Sequence, residues 1–405
     1  ADGTEVVELG TDGLPTKAQR LRWIHEWMTI LCGDGYAWES RDEARRELLK
    51  FPLDELLPVV MTRIEAATEE LADGAGWAFQ VLYALEERAL SAAPRLAALL
   101  SGDVEWIADC AAIALGSMGR AGKPYLLDAL DEAAARPYAF AALARPPGIA
   151  RDEIARVLPY LAHDDAEIRA AAARVLARAD GAQDLLVPAF LDGARDPDVD
   201  VRVQCLFALR LGEPTMPVIE ALRAALDDDV WSVRAAAVAS LGAFGEAAAA
   251  EAPRLRDLLG EDPLRWPRIV LPALRSMGPE AIVGGRGHPS PDVRRELLGA
   301  LRSLTDDEPG SLPGTVTAVA ALLDDPDAGV RVAAITELGA IGPAAAPALD
   351  LLRKAADDPA PRVARAGIVA LARVGGATDD VLAVLLRALR GGAPEERAAA
   401  AEALG

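Results

Sequence analysis

The sequence predicts an all-α protein, an α-solenoid of about eleven stacked helix pairs. The first observation is a stretch, residues 324–339, whose variants recur along the chain, so that its Leu338 belongs to a series spaced by 27 to 37 residues. The second is a β-branched residue eight positions before most of these leucines, which is the i, i+4, i+8 face of a helix. A helix pair of this length cannot bury its apolar stripe alone, so neighbouring pairs must share a core. The series comprises Leu85, Leu115, Leu143, Leu176, Leu209, Leu241, Leu274, Leu301, Leu338, Leu371 and Leu404.

The recurring stretch contains the start and stop signals of one helix. Asp325 is expected to cap it, with Pro326 at the first helical position. Apolar residues four positions apart then lead to Leu338. Gly339 and the Gly-Pro pair shortly after it are expected to end the helix, and a second amphipathic helix is expected over residues 345–356.

The pattern Asp-x-x-Val-Arg-x-x-Ala-Ala-x-x-x-Leu-Gly resembles the short HEAT-like repeats of bacteria, the type also seen in phycobilin lyase subunits and in deoxyhypusine hydroxylase. The resemblance covers roughly residues 53–405. It implies a right-handed superhelix in which the Val-Arg helix is the second of each pair and lines the concave face. HEAT-like solenoids serve as scaffolds, adaptors, lyases, hydroxylases and DNA glycosylases, so the resemblance specifies a fold and not an activity.

The chain divides into an N-terminal arm with a divergent helical cap, residues 1–52, and a HEAT-like repeat solenoid, residues 53–405. Residues 1–15 have no helical period, whereas residues 16–31 read as a helix. A capping box of the Ser-Arg-Asp-Glu form is expected to open the next helix within residues 40–50. This pair departs from the repeat pattern, as the terminal cap of a solenoid should.

Two places break the rhythm of the repeats. Within residues 136–149, prolines are expected to shorten the second helix of the pair. Within residues 278–291, glycines are expected to reduce the first helix to about one turn. The last unit ends at Leu404 without a polar outer face. We therefore expect either that the natural chain continues or that this end supports self-association with another subunit.

Net charge, cysteine spacing and hydropathy reduce the number of functional classes to which the chain could belong. The net charge of −21 opposes indiscriminate binding to nucleic acid or to an anionic membrane. The three cysteines are widely separated and lack Cys-x-x-Cys spacing, so neither a disulfide framework nor a zinc site is indicated, and a reducing cytoplasm is the expected location. No signal peptide and no apolar run near twenty residues is evident, so no membrane span is expected. The arginine-rich composition suggests a bacterial source.

The residues that could carry chemistry favour structural roles. Only His25-Glu26 has the His-Glu form with which deoxyhypusine hydroxylase holds iron, and one pair cannot make that site, so no metal and no other cofactor is expected. The recurring Asp of each turn and Arg of each second helix could do acid–base work. Because they recur in many repeats, an Asp–Arg hydrogen-bonded ladder between neighbouring turns is the favoured interpretation.

On a helical wheel of each second helix, numbered from its β-branched residue as position 0, positions 0, 4 and 8 face the core. Positions 2, 6 and 9 then point away from the core and into the predicted superhelix. Aromatic residues occupy these positions in the N-terminal repeats, and arginines recur there in later repeats. Such arginines either accept an anionic partner or pair with turn carboxylates of neighbouring repeats, and the sequence leaves both alternatives open. The predicted partner-binding residues are Phe79, Tyr83, Arg174, Phe207, Arg210, Arg268, Arg275, Arg295, Arg302 and Arg365.

These observations favour a non-enzymatic scaffold or adaptor that binds a protein, a peptide or another anionic partner on its concave face. One alternative is an enzyme or accessory lyase acting on a small aromatic molecule near the N-terminal aromatics. Another is a HEAT-like DNA glycosylase, with Glu86 or Asp109 as its acidic residue, which the overall charge disfavours. No catalytic residue is assigned.

Overall fold

The computed structural model describes residues 15–33, 36–68, 72–179, 181, 183–262, 264–307 and 312–404. Its internal contacts form two compact units, one ending at Leu211 and the other beginning at Gly212. The division predicted at residue 52 remains a prediction. In the first unit the α-helices are α1 Lys17–Cys32, α2 Trp38–Leu48, α3 Leu53–Glu65, α4 Ala72–Leu85, α5 Ala93–Leu99, α6 Glu105–Ser117, α7 Lys123–Ala129, α8 Arg136–Leu143, α9 Ile154–Val157, α10 Ala166–Leu176, α11 Gln183–Gly193 and α12 Val199–Leu209. In the second they are α13 Met216–Ala225, α14 Trp231–Ala243, α15 Ala252–Glu261, α16 Pro267–Ser276, α17 Pro279–Val283, α18 Pro291–Asp307, α19 Leu312–Ala320, α20 Ala328–Ile341, α21 Leu349–Ala355, α22 Pro361–Gly375, α23 Asp379–Gly391 and α24 Pro394–Leu404.

The helices from α3 to α24 follow one another as first and second members of pairs, eleven of them in the described part of the chain. Every second helix contains one leucine of the predicted series. All of these leucines are at most 3% exposed except Leu404, which is 37% exposed. The fold is therefore the predicted α-solenoid, and the shared leucine stripe is its core. The handedness of a superhelix remains a prediction.

Consecutive second helices pack against each other at very small side chains. A Cβ added to Gly339 in α20 would lie 3.1 Å from the Cβ of Ala370 in α22, and one added to Gly242 in α14 would lie 2.7 Å from that of Ala273 in α16. Helix α20 ends at the expected Gly-Pro pair, with Gly342 as its C-cap, but Gly339 lies inside the helix, which continues to Ile341. The missing Cβ allows the close approach of α22 instead.

Two predicted helix starts are also wrong. The cap of α20 is Asp327, whose carboxylate accepts from the Val330 N–H at 3.0 Å, while Asp325 accepts hydrogen bonds from Arg294. The reason is that Asp325 binds Arg294 of the preceding repeat, which leaves the capping position to Asp327. Helix α2 begins at Trp38 without a side-chain cap, ahead of the predicted capping box.

The irregular repeats have the expected short helices. The second helix α8 has 8 residues, with Pro137 in its first turn, and the first helix α17 has 5. The helix predicted over residues 345–356 is divided into a 3-10 helix, Gly342–Ala348, and α21, because Pro347 interrupts the amide series of a continuous α-helix.

One segment contradicts the expectation that no apolar run approaches the length of a membrane span. Residues 328–355 form a helical stretch of 28 residues, and an 18-residue window within it reaches a mean hydropathy of 1.4. They include α20 and α21, which both pack against α22, and Gly342 between them has a φ of +71°. Of that window 33% is buried, and the buried residues of the segment, among them Val330, Leu338 and Leu352, belong to the core shared by neighbouring repeats.

Candidate functional site: an arginine groove on the second helices

Arginines at the starts of three second helices join neighbouring turns. Arg331 donates from Nε and Nη2 to the two carboxylate oxygens of Asp358, both at 3.0 Å, and from Nη1 to the carbonyl of Asp325. Arg294 makes the same fork with Asp325 at 2.7 Å, and Arg169 makes it with Asp196 at 2.8 Å. We call Arg169, Arg294 and Arg331 the ladder arginines. They confirm the predicted structural ladder.

The ladder carboxylates have their charged form stabilised. Burial by itself raises the pKa of Asp358, but hydrogen bonds from Arg331 and from the Ala360 N–H outweigh burial and leave the pKa below its usual value. The pKa of Asp196 is lowered in the same way by Arg169 and the Asp198 N–H. These aspartates are therefore ionised and committed to the fold at neutral pH.

A different set of arginines lines a groove formed by α20, α22 and α24. The groove encloses about 460 Å³, and Arg362, Arg365 and Arg373 from α22 extend along it. All three are exposed, and among the described residues none forms an ion pair or hydrogen bond with their guanidinium groups. We call them the groove arginines. The remaining lining residues are Val332, Thr336, Ala366, Val369, Ala370 and Glu395.

The groove arginines are close to collinear because of their spacing on one helix. Steps of three and then eight residues keep Arg362, Arg365 and Arg373 on one side of α22, and the stripe they form is about 16 Å long at 1.5 Å per residue. Val369 lies between the last two and Val332 faces them from α20, so the floor is apolar. The groove thus combines several cations with a small apolar surface.

Other predicted residues in the second unit differ in their availability. Arg268 is exposed, has no ion-pair partner among the described residues and lines a hollow of about 420 Å³ between α14 and α16. Arg295 forms an ion pair with Asp292 one turn earlier in α18, which neutralises it. Arg275 is half-buried with contacts of its own, and the side chain of Arg302 lies outside the described residues.

In the first unit, the buried position of Phe79 contradicts its predicted role in binding a partner. Its side chain is 0% exposed and packs edge-on against Trp106, with ring centroids 6.5 Å apart. The reason is that the next second helix, α6, brings Trp106 against the face of α4 that the single-helix pattern treats as open. Tyr83 is half-buried, and its hydroxyl donates to the Cys110 carbonyl at 3.3 Å; burial raises its pKa.

The remaining predicted residues of the first unit are accessible. Arg174 is exposed and has no partner among the described side chains. Arg210 lies over the ring of Phe207 with its guanidinium carbon 5.1 Å from the centroid, a cation–π contact within one helix.

The helical-wheel prediction did not include Arg362 or Arg373, which also line the groove. They stand at positions −1 and 10 relative to Val363, outside the positions 2, 6 and 9 that were considered. Because the groove is formed between adjacent second helices, its lining is rotated toward the neighbour α20 and away from the direction directly opposite the core. A wheel that included the flanking positions would have found both residues.

Catalytic groups do not assemble in the same way. Within the described ranges, no group of three or more His, Cys, Asp or Glu side chains is placed to hold a metal ion. Burial raises the pKa of the Cys205 thiol to about 12, which keeps it protonated and unreactive at neutral pH. Glu86 and Asp109, the acids considered for a glycosylase, are both exposed.

The repeats match a known family model. A model of HEAT repeats matches residues 187–275 and 315–405, and the second match includes the whole arginine groove. These two segments carry HEAT repeats. No curated protein sequence matches it.

Solved structures resemble the chain at low sequence identity. Kap121p, solved bound to Ste12p, is 11% identical with a TM-score of 0.52 over 96% of this chain and 49% of Kap121p. Yeast importin-β (Kap95p) is 15% identical with a TM-score of 0.40 over 95% of this chain and 57% of its own. The CpcE–CpcF phycocyanin lyase of Nostoc sp. PCC7120 is 22% identical with a TM-score of 0.30, covering 57% and 92% of the two chains. The chain thus spans about half the length of Kap121p, and the likeness shows the HEAT fold alone.

Proposed function

We propose that this HEAT-repeat chain is a non-catalytic scaffold that binds an acidic protein segment in the arginine groove of α20, α22 and α24. The observation that carries the proposal is that Arg362, Arg365 and Arg373 have no acidic partner among the described residues, although the chain has 63 acidic against 42 basic residues. Acidic side chains are abundant, so uncompensated arginines in one groove indicate that the compensating charge comes from a ligand.

The dimensions of the groove favour an extended segment. A stripe of about 16 Å accommodates about five residues of extended chain at 3.3 Å per residue. Carboxylates spaced along such a segment would accept bidentate hydrogen bonds from the guanidinium groups, and an apolar side chain between them would contact Val332 and Val369. Glu395, the one acidic residue in the lining, disfavours a carboxylate at its own position and so fixes the register.

The likeness to Kap121p supports a protein ligand, because Kap121p was solved bound to Ste12p. A cytoplasmic location in a bacterium is part of the proposal and rests on composition. The enzyme alternatives receive no comparable support, because the N-terminal aromatic Phe79 on which they partly depend is in the core.

Fluorescence anisotropy tests the proposal with a defined probe, a fluorescein-labelled peptide of alternating glutamate and leucine. The double variant R365E/R373E should lower its affinity at least about a hundredfold, because two favourable contacts become repulsive. The matched control R286E/R390E makes the same charge change at two exposed arginines outside the groove and should retain most of the affinity. Equal losses in the two double variants would contradict a specific site.

A further inference from the structure

A second cavity lies between α1 and α3 in the first unit, distant in sequence from the arginine groove. It encloses about 540 Å³, within the range of about 300–1,000 Å³ that is usual for small-molecule sites. Its surface is predominantly apolar, and its lining includes Met28, Pro58, Val59 and Ala66. His25 and Arg63 are exposed polar residues in the same lining.

The charge of Arg63 is uncompensated in the described structure. Two carboxylates of the same helix, α3, are committed elsewhere: Glu55 accepts two hydrogen bonds from Arg20, at 2.9 and 2.6 Å, and Glu65 accepts two from Arg95, at 2.7 and 2.6 Å. Arg63 instead interacts with the thiol of Cys32, whose pKa is raised by burial. A protonated thiol does not neutralise a guanidinium group.

We propose that the α1–α3 cavity binds a small amphipathic carboxylate, with its apolar body against Met28, Val59 and Ala66 and its carboxylate on Arg63. A carboxylate matches the fork of the guanidinium group and would supply the charge that the chain does not. His25 at the same mouth offers a further N–H donor. This site is independent of the proposed scaffold function and uses no residue of the arginine groove.

Octanoate is a suitable probe because it carries one carboxylate and a short aliphatic body. The readout is the methyl resonance of Met28 in a ¹H–¹³C spectrum, with the exposed Met216 of the second unit as an internal reference. Saturable displacement of the Met28 resonance without displacement of the Met216 resonance is expected. The absence of a Met28 displacement, or an equal displacement of Met216, overturns the proposal.

Two variants test separately which residues bind the carboxylate of the ligand and which accommodate its apolar body. Arg63→Gln should weaken octanoate binding about tenfold, through loss of the charge-assisted contact, and should leave the binding of uncharged 1-octanol unchanged. Ala66→Trp, at an exposed lining position, should abolish the binding of both by filling the mouth of the cavity. Arg88→Gln is the matched control, because Arg88 is exposed and unpaired in the described part of the same unit. The assignment is overturned if Arg63→Gln keeps its octanoate affinity while its circular dichroism spectrum is intact. It is also overturned if Ala66→Trp keeps its octanoate affinity.

Discussion

The ladder arginines and the groove arginines of the second unit are the same residue type on neighbouring helices, yet their surroundings are opposite. The Arg294 and Asp325 side chains are 8% and 3% exposed and joined by a fork of two 2.7 Å hydrogen bonds. Arg365 is exposed and has no partner among the described residues. An arginine in a repeat is thus structural or available according to which side of its helix it occupies.

The two locations differ by a small rotation around the helix. In α20 the residue after the buried Val330 is Arg331, which points to the turn of the next repeat and binds Asp358 there. In α22 the residue after the buried Val363 is Ala364, and the arginines stand at 362 and 365 instead. Helix α22 therefore lacks the ladder contact that Arg331 makes in α20 and carries exposed arginines instead.

The largest expected effect is at the ladder. Arg294→Ala should lower the free energy of unfolding by about 3–5 kcal/mol, because it leaves the buried carboxylate of Asp325 without its counter-charge. Arg365→Ala, on the groove side, should change it by no more than about 0.5 kcal/mol. Urea denaturation followed by circular dichroism measures both. Similar losses for the two variants would remove the distinction between ladder and groove.

Truncating the stripe leucine beneath the groove should have a nearly equal effect. Leu338→Ala should lower the local stability of α20 and α22 by about 2–5 kcal/mol, since Leu338 is 0% exposed and a cavity would remain. Leu404→Ala, at the 37% exposed end of the same series, should lower stability by less than about 1 kcal/mol. Native-state hydrogen exchange resolves these local changes, which a single global transition would average.

The close contact between α20 and α22 should matter next. Gly339→Val should destabilise the chain by about 1–3 kcal/mol and weaken binding of the acidic peptide, because its side chain would push against Ala370, part of the groove lining. Gly299→Val in α18 is the matched control, since a Cβ there meets nothing within 4 Å. A thermal melt and a peptide titration of both variants make the comparison. Equal behaviour of the two variants would contradict a packing role for Gly339.

The smallest expected effect is a pH dependence that separates the ladder from the groove. The pKa of Asp358 is lowered in the folded protein, so its stabilising contribution is present above the usual unfolded value of about 3.9 and is lost as pH falls through the lower folded value. Asp358→Asn should therefore flatten the decline of stability below about pH 4. Arg365→Gln should leave that decline unchanged. Urea midpoints measured across acidic pH give the slopes.

The sequence was sufficient to predict the fold because its evidence was periodic. Leu338 and the other leucines of its series except Leu404 are buried, and most stand eight residues after a β-branched residue, a spacing that corresponds to one helix face. The Asp–Arg ladder was predictable for the same reason. Cap positions such as Asp327 were not, because two neighbouring aspartates have equal capping propensity and only the contact of Asp325 with Arg294 decides between them.

The candidate sites were only partly predictable, since they depend on how neighbouring helices meet. Arg365 was found because it points away from the core of its own helix. Phe79 was assigned wrongly because it packs against Trp106 of the next second helix, a contact that the spacing within one helix does not show. The cavity containing Arg63 and His25 joins two helices that share no repeat position, so no single-helix pattern indicated it.

The most direct test of the central claim, that the groove arginines bind an acidic segment by charge, is a reciprocal charge exchange. R365E/R373E should lose the glutamate–leucine peptide and acquire affinity for a lysine–leucine peptide of the same length, while the wild-type chain shows the reverse preference. Anisotropy titrations of both proteins with both peptides at low salt, repeated at 0.5 M salt, measure this exchange. An exchanged preference that weakens with salt is the predicted result. Binding of the acidic peptide by the reversed variant with undiminished affinity would contradict the account.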